Sequence, residues 1–260
     1  MPSLSTLFTL SVVAGLGLGC WFYYRRTRTL RRRLTEANRE LEQLQRTFNR
    51  FAPARVVENI LGRQSLDLAE TREVTILFAD LRGFTAMSEQ MEAPDLVDLL
   101  NQYFQRMDRA AEEHSGFVSK FIGDGLLVLF GALRHNPWQS TDAVRAALAM
   151  QEQVRALDAS IDAPDLPSLS LSVGIHRGPV VAGIVGSLDV MEFTVVGRHV
   201  NIASRVEELT RQHDEDILIT DAVATDLDPA IVLHEKPPCE VKGVKAPITT
   251  YAVPADPNAG

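Results

Sequence analysis

Between Glu73 and Val253 the sequence alternates short apolar segments with longer amphipathic ones, and this alternation limits the chain to a fold of strands and helices. Helices are predicted over 95–114, 138–157 and 200–210, because apolar residues recur there every three or four positions. Strands are predicted at 74–79, 117–121, 126–130, 169–175, 180–185, 217–220, 231–241 and 248–253. Tight turns join several of these strands, so the pattern indicates an α+β sandwich with helices packed on a mostly antiparallel sheet.

Two aspartates stand where predicted strands end. Asp80 closes the apolar segment 74–79, and Asp124 lies in the turn Ile122-Gly123-Asp124-Gly125 between the next two strands. If these strands are neighbours, both carboxylates project from one end of the sheet. Hard oxygen ligands of this kind suit Mg²⁺ or Mn²⁺. A lone turn aspartate is ordinary turn chemistry, but a second one at a matching strand end favours a metal site.

Other polar positions are suited to phosphate. The exposed amides of Phe84 and Thr85 follow Asp80 at a predicted helix start, where a polyphosphate can bind. Asn201 and Arg205 lie four residues apart on one helix face, which places an amide beside a guanidinium that matches phosphate oxygens. Lys242 stands in the segment Val-Lys-Gly. Each of these signals alone is also typical of a solvated surface.

An uncharged run of 21 residues, Leu4 to Tyr24, has the length of a membrane-spanning helix. Six arginines follow between 25 and 33, so the positive-inside rule places the rest of the chain in the cytoplasm beneath a plasma or inner membrane. The alternative is a cleaved signal peptide, which would carry its positive charges before the apolar run. The sequence therefore predicts a single-pass anchor over 1–24 that contacts the lipid bilayer.

A heptad pattern follows the arginines, with apolar residues at alternating spacings of four and three. Its members are Leu30, Leu34, Ala37, Leu41, Leu44, Phe48 and Phe51. The pattern predicts a parallel coiled-coil stalk over 25–52 and hence a homodimer; a single amphipathic helix packed on the domain is the alternative. Pro53 ends the pattern, and we expect a linker helix over 53–72, a globular domain over 73–254 and a short tail over 255–260.

The charge and cysteine content exclude two classes of protein. The formal net charge is −8 although the arginine cluster is strongly basic, so the main domain is acidic. An acidic domain does not displace counterions from nucleic acid, so no nucleic-acid partner is expected. The two cysteines, Cys20 and Cys239, are far apart, and a disulfide framework is not indicated.

The chain resembles the class III adenylyl and guanylyl cyclase catalytic domain, including its bacterial membrane-anchored members. The matching segments occur in the order of that family, at 74–89, 120–131, 174–187, 193–210 and 239–253. The resemblance implies a cyclase-type, ferredoxin-like sandwich. It also implies an adenylate cyclase that converts ATP to 3′,5′-cyclic AMP and pyrophosphate in intracellular signalling.

The resemblance also implies a role for each matching residue. Asp80, Asp124 and the carbonyl of Leu81 match the ligands of two Mg²⁺ or Mn²⁺ ions. Asn201 and Arg205 match the pair that stabilises the transition state. Lys120 and Thr194 match the residues that read the purine, and Lys242 matches the lysine that holds the terminal phosphates. In this family two catalytic domains form each site, so the complete set in one chain implies a homodimer with two shared sites.

The residues at the purine-reading positions favour ATP over GTP. A lysine donates to an acceptor of adenine, and a threonine hydroxyl accepts from its exocyclic amine. Guanylyl members carry Glu and Cys at these positions, whereas many adenylyl members carry Asp where Thr194 stands. Two other functions have less support from the residues. A diguanylate cyclase lacks support because its Gly-Gly-acid-acid-Phe turn is missing, and an inactive cyclase-like receiver is disfavoured because both aspartates, Asn201 and Arg205 are present.

Overall fold

The computed structural model describes residues 69–161, 163, 166–187, 191–240 and 247–254, together with six positions between 21 and 39. The chain divides into two compact units, Met1–Glu58 and Asn59–Gly260. In the first unit the six described positions are helical and exposed. All seven heptad positions, most of the linker 53–72 and the tail 255–260 lie outside the described residues, so the coiled-coil stalk has no support from the structure.

The predicted membrane anchor requires correction. Among the residues that the structure describes, no helix is long and apolar enough to cross a membrane. This finding contradicts the single-pass anchor over 4–24 and the placement of the chain at a plasma membrane. The prediction was based on the length and hydropathy of the run, which are necessary for a spanning helix but do not by themselves produce one. Of the run itself, only Trp21 lies within the described residues.

The described part of the second unit contains eight strands and five helices. The strands are β1 Glu70–Arg82, β2 Phe117–Ile122, β3 Gly125–Phe130, β4 Ser170–Gly186, β5 Met191–Val196, β6 Ile217–Thr220, β7 His234–Cys239 and β8 Ile248–Ala252. The helices are α1 Phe84–Ser88, α2 Ala93–Glu113, α3 Gln139–Asp158, α4 Arg198–His213 and α5 Asp221–Ala224. The sequence pattern indicated only the start of α1 and missed β5 and α5, which are short or of mixed polarity.

The strands form one mixed sheet in the order β2-β3-β1-β4-β6-β8-β7, and β5 pairs with β4. Neighbouring strands pair antiparallel except for β4 and β6, which are parallel. The sequence predicted a mostly antiparallel sheet. The parallel pair arises because the chain returns to the sheet through α4, and a crossover of this kind sets the next strand parallel. The α+β class itself agrees with the prediction.

Strand β4 is one continuous strand of 17 residues, where the sequence predicted two strands joined by a turn at His176 to Pro179. It pairs with the full length of β1, from Glu70 opposite Ala182 to Arg82 opposite Ser170. Pro179 lies within this ladder opposite Glu73. The long partner strand holds the Gly-Pro segment extended, so these turn-forming residues do not turn.

Helices cover both faces of the sheet. Alternate β1 residues Leu77, Ala79 and Leu81 belong to the large core formed with α2 and α3. On the opposite face, Val74 and Ile76 belong to a second cluster that includes Ala203 of α4. Burial on both faces explains why the segment 74–79 of β1 is mostly apolar.

Helix α4 lies unusually close to β4. A Cβ atom added at Gly174 would overlap the backbone of α4 at Val206 and Glu207. The glycine is therefore needed for the close approach of helix and strand. This approach determines which α4 side chains reach the end of β1.

Candidate active site

The two aspartates predicted to bind metal lie at the same end of the sheet. The β1–β3 register pairs Ala79 with Leu126, so Asp80 lies beside Gly125 and Asp124 is the next residue of the hairpin turn. A Cβ atom on Gly125 would lie 3.1 Å from Oδ1 of Asp80. Glycine at this position therefore leaves room for the Asp80 carboxylate against the hairpin.

The electrostatic surroundings of Asp80 are mixed. Burial raises the pKa of the Asp80 carboxyl, the negative charge of Asp124 raises it further, and the Arg211 guanidinium lowers it. Arg211, on α4, donates from Nη2 to Oδ2 of Asp80 at 2.8 Å. The Ser172 hydroxyl donates to the backbone carbonyl of Asp80 at 3.3 Å. Asp80 is thus a partly desolvated carboxylate that faces a second carboxylate.

This pair fits a divalent cation. Two carboxylates close enough to disfavour each other's charge are stabilised when a cation lies between them. Among the described residues, no group of three or more His, Cys, Asp or Glu side chains is placed to hold a metal. Asp80 and Asp124 would therefore need further oxygen donors, such as the backbone carbonyl of Leu81 and the oxygens of a phosphate.

The segment after Asp80 turns sharply into α1. Gly83 adopts φ 84°, and a Cβ atom there would lie 2.7 Å from the carbonyl oxygen of Ser168, so both its conformation and its surroundings require glycine. Phe84 packs partly against the core, while Thr85 is exposed. Their amides open α1, but this helix has only five residues.

Asn201 and Arg205 both lie on α4, as predicted. Asn201 is exposed, and Arg205 forms an ion pair with Glu208. Arg211, which contacts Asp80, lies ten residues after Asn201 and six after Arg205. At 1.5 Å per residue these intervals correspond to about 15 Å and about 9 Å along the helix axis. The fold therefore does not bring Asn201 to the carboxylates of its own chain.

Side-chain contacts between β2 and β5, which do not pair in the sheet, bring the surroundings of Lys120 and Thr194 together. Ser119, next to Lys120, donates to the Thr194 hydroxyl at 3.3 Å and to the Phe193 carbonyl at 3.2 Å. Thr194 is 5% exposed, and Lys120 forms an ion pair with Glu192. Lys120 lies two residues before the end of β2, and Asp124 lies in the turn that follows. The predicted base-reading pair thus lies on β2 and β5, and the carboxylate pair lies at the end of β1 and in the hairpin turn.

Lys242, the predicted phosphate lysine, lies outside the described residues, in the segment 241–246. Three neighbours of the candidate site were not singled out from the sequence: Arg211, Glu192 and Ser119. Arg211 is the sixth residue after Arg205, a spacing that places the two on different faces of a helix. Only the close approach of α4 to β4 reveals that it reaches Asp80.

A histidine pair, buried His176 and half-buried His199, stabilises the start of α4. His176 shares hydrogen bonds with the Thr220 hydroxyl through Nδ1 and with His199 through Nε2, both at 2.8 Å. The His176 and His199 rings stack at 5.1 Å between centroids. Burial lowers the pKa of His176 to about 4, and the neighbouring charges of His199 and Arg198 contribute. These contacts give His176 a structural role at the junction of β4, β6 and α4.

A carboxylate pair at the end of a mixed sheet, with a helix carrying Asn201 and Arg205 on one face, is the arrangement expected of a nucleotide cyclase catalytic domain. The chain belongs to the adenylate and guanylate cyclase catalytic domain family, whose family model matches residues 66–255.

Individual relatives show the closeness of the match. An adenylate cyclase of Anabaena cylindrica is 38% identical over 224 residues, a region that covers 80% of this chain and 43% of the relative. The chain thus spans less than half the length of that curated relative.

Among solved structures, the adenylyl cyclase CyaB of P. aeruginosa superposes with a TM-score of 0.66 at 32% identity, covering 71% of this chain and 95% of CyaB. The guanylyl cyclase Cya2 has the same TM-score and identity, and covers 71% and 93%. Overall similarity therefore does not distinguish ATP from GTP, and the choice depends on the residues that face the base.

Proposed function

We propose that the chain is an adenylate cyclase that converts ATP to 3′,5′-cyclic AMP and pyrophosphate in a site shared by two copies. The observation that carries this proposal is the position of Asp80 and Asp124 together at one end of the sheet, in a chain of the cyclase family. The proposed catalytic domain is 73–254.

In the proposed reaction the ribose 3′-oxygen attacks the α-phosphorus, a new P–O bond forms, and the bond to the leaving pyrophosphate breaks. Asp80, Asp124 and the Leu81 carbonyl would hold two Mg²⁺ or Mn²⁺ ions, which supply charge neutralisation and activation of the 3′-hydroxyl when bound. Arg205 and Asn201 donate to the phosphate oxygens as negative charge builds on them. Lys242, Phe84 and Thr85 are proposed to hold the outer phosphates.

The proposed base-reading pair favours adenine. Thr194 is buried and offers a hydroxyl oxygen as an acceptor, while its neighbour Ser119 donates to that oxygen. Lys120 supplies a donor, which in the free chain is neutralised by Glu192. A carboxylate that would accept from guanine N1 does not stand at either matched position, because these are Lys and Thr.

A second copy is proposed because one chain separates the groups that the reaction needs together. Asn201 lies about 15 Å along α4 from the contact with Asp80. Large apolar side chains are exposed along β2, β4 and β5, a surface suited to pairing with another copy. They are Phe121 at 46%, Ile122 at 52%, Val185 at 46%, Met191 at 64% and Val196 at 55%.

The test is turnover of Mn²⁺-ATP and Mn²⁺-GTP by the full chain. We expect cyclic AMP as the main product and its loss in Asp80→Asn, which removes a charged ligand with little change in shape. Glu89→Gln is the matched control, because Glu89 is an exposed carboxylate at the end of α1. Cyclic GTP as the main product would refute the base assignment, and full activity of Asp80→Asn would refute the metal assignment.

The shared site is tested by mixing two inactive variants, Asp124→Ala and Asn201→Ala. A mixed dimer contains one site with both halves intact, so partial activity should return. Mixing Asp124→Ala with Asp80→Ala is the control, because both changes affect the same half and no intact site forms. Absence of recovery in the first mixture would argue against a site built from two chains.

A further inference from the structure

Tyr103 has a hydroxyl group without a hydrogen-bond partner in the interior of the protein. The side chain lies on α2, is 0% exposed, and its hydroxyl oxygen is among the few buried polar side-chain atoms with no partner in the described part of the chain. A buried hydroxyl left unpaired costs about 1–3 kcal/mol. Phenylalanine would fill the same space without that cost. The hydroxyl therefore suggests a hydrogen bond that forms only when a ligand is bound.

The surroundings of this hydroxyl indicate its target. Tyr103 belongs to the same buried cluster as Ala79 and Leu81, which flank Asp80, and Leu126, which follows the Asp124 turn. Its neighbour Phe104 packs on Phe121 of the hairpin, with ring centroids 4.2 Å apart. Helix α2 is therefore held against the hairpin that carries Asp124.

The negative charges around Tyr103 also identify the carboxylate pair as the target of its hydroxyl. Burial raises the pKa of Tyr103, and the negative charges of Asp80 and then Asp124 raise it further. Both carboxylates are thus close enough to act on the phenol. The hydroxyl stays protonated, so toward an anionic group it is a hydrogen-bond donor.

We propose that Tyr103 is a positioning residue for the carboxylate pair, and that its hydroxyl donates to that pair when the two aspartates hold divalent metal. This inference depends on the proposed function for its metal ligands. In the free chain the Oδ2 atom of Asp80 accepts from Arg211, and a cation at the pair would compete with that contact. Groups that hydrogen-bond to metal ligands fix the orientation of those ligands, and their loss commonly weakens metal binding by about 10- to 100-fold.

The experiment measures Mn²⁺ binding to the full chain without nucleotide, by electron paramagnetic resonance of free Mn²⁺, together with the metal-free thermal midpoint. Tyr103→Phe removes one oxygen atom and keeps the ring. We expect its Mn²⁺ affinity to fall by about 10-fold, while its metal-free midpoint equals or exceeds that of the wild type. This combination separates a role toward the ligands from a loss of folding.

Thr250→Val is the matched control, because Thr250 is also 0% exposed with an unpaired hydroxyl. It lies on β8, separated from β1 by β4 and β6. It should keep wild-type Mn²⁺ affinity. Equal Mn²⁺ affinity in Tyr103→Phe and the wild type, with binding lost in Asp80→Asn, would overturn the role of Tyr103 and leave the proposed function standing. If the wild type bound no Mn²⁺, the role of Tyr103 would be overturned, and the turnover of Asp80→Asn would decide the proposed function separately.

Discussion

Acidification should destabilise the protein through His176, and the size of the effect follows from its burial. An imidazole in an unfolded chain has a pKa near 6.5, whereas burial and the charges of His199 and Arg198 lower the pKa of His176 to about 4 in the folded chain. Above pH ~6.5 the imidazole is neutral in both states and its full contribution is present. As the pH falls from ~6.5 toward ~4, His176 binds a proton in the unfolded chain but stays neutral in the folded chain, so the free energy of unfolding decreases.

The interval between these two pKa values corresponds to roughly 3 kcal/mol of unfolding free energy. The groups facing His176 are Thr220 on β6 and His199 on α4. The pKa of His199 is also lowered, by burial and by Arg198, while Glu73 opposes this. The rings of His176 and His199 cannot readily both be charged. Protonation should therefore disrupt the stacked pair and weaken the packing of α4 on the sheet.

The assay is urea unfolding of the wild type and His176→Asn at several pH values between 7 and 4, with linear extrapolation to water. Because many carboxylates titrate in this range, the informative quantity is the free energy of unfolding of the wild type minus that of His176→Asn. We expect this difference to fall by about 3 kcal/mol between pH 7 and pH 4. His234→Asn is the control, because His234 is exposed on β7. A wild-type advantage that stays constant across this range would refute the reasoning.

Three further outcomes are expected. Gly174→Ala inserts a methyl group into the α4 backbone and should lower the free energy of unfolding by about 3 kcal/mol; an unchanged thermal midpoint would contradict the close packing of α4. Glu192→Gln releases Lys120 from its ion pair and should lower the KM for ATP with little change in kcat, whereas an unchanged KM would show that the pair does not restrain the lysine. Arg211→Gln removes a cation that competes at Asp80 and should tighten Mn²⁺ binding about two- to fivefold; weaker binding would indicate that Arg211 supports the metal site.

The carboxylate pair could be predicted from the sequence because both aspartates are defined by local signals. Each follows an apolar strand, and the glycines around Asp124 make the hairpin turn recognisable. The short connection predicts the pairing of β2 with β3, whereas the pairing of β1 with β3, which brings Asp80 to Asp124, joins distant segments of the chain. The α+β class was predictable for the same reason, since the periods of strands and helices differ.

Features that depend on distant contacts could not be predicted. His176 to Pro179 looks like a turn, but β1 pairs with β4 through this segment and keeps it extended. The ion pair between Arg211 and Asp80 joins residues 131 positions apart. It exists because Gly174 lets α4 approach the sheet, and no local pattern encodes that distance.

The unbroken course of β4 has a mechanical consequence. One strand pairs with β1 near Asp80 and, at its other end, with β5, which carries Thr194. A continuous hydrogen-bonded strand resists stretching, so the spacing between the carboxylates and the base-reading pair is fixed within each copy. In the proposed two-copy enzyme, a site would therefore open and close by rotation of one copy against the other.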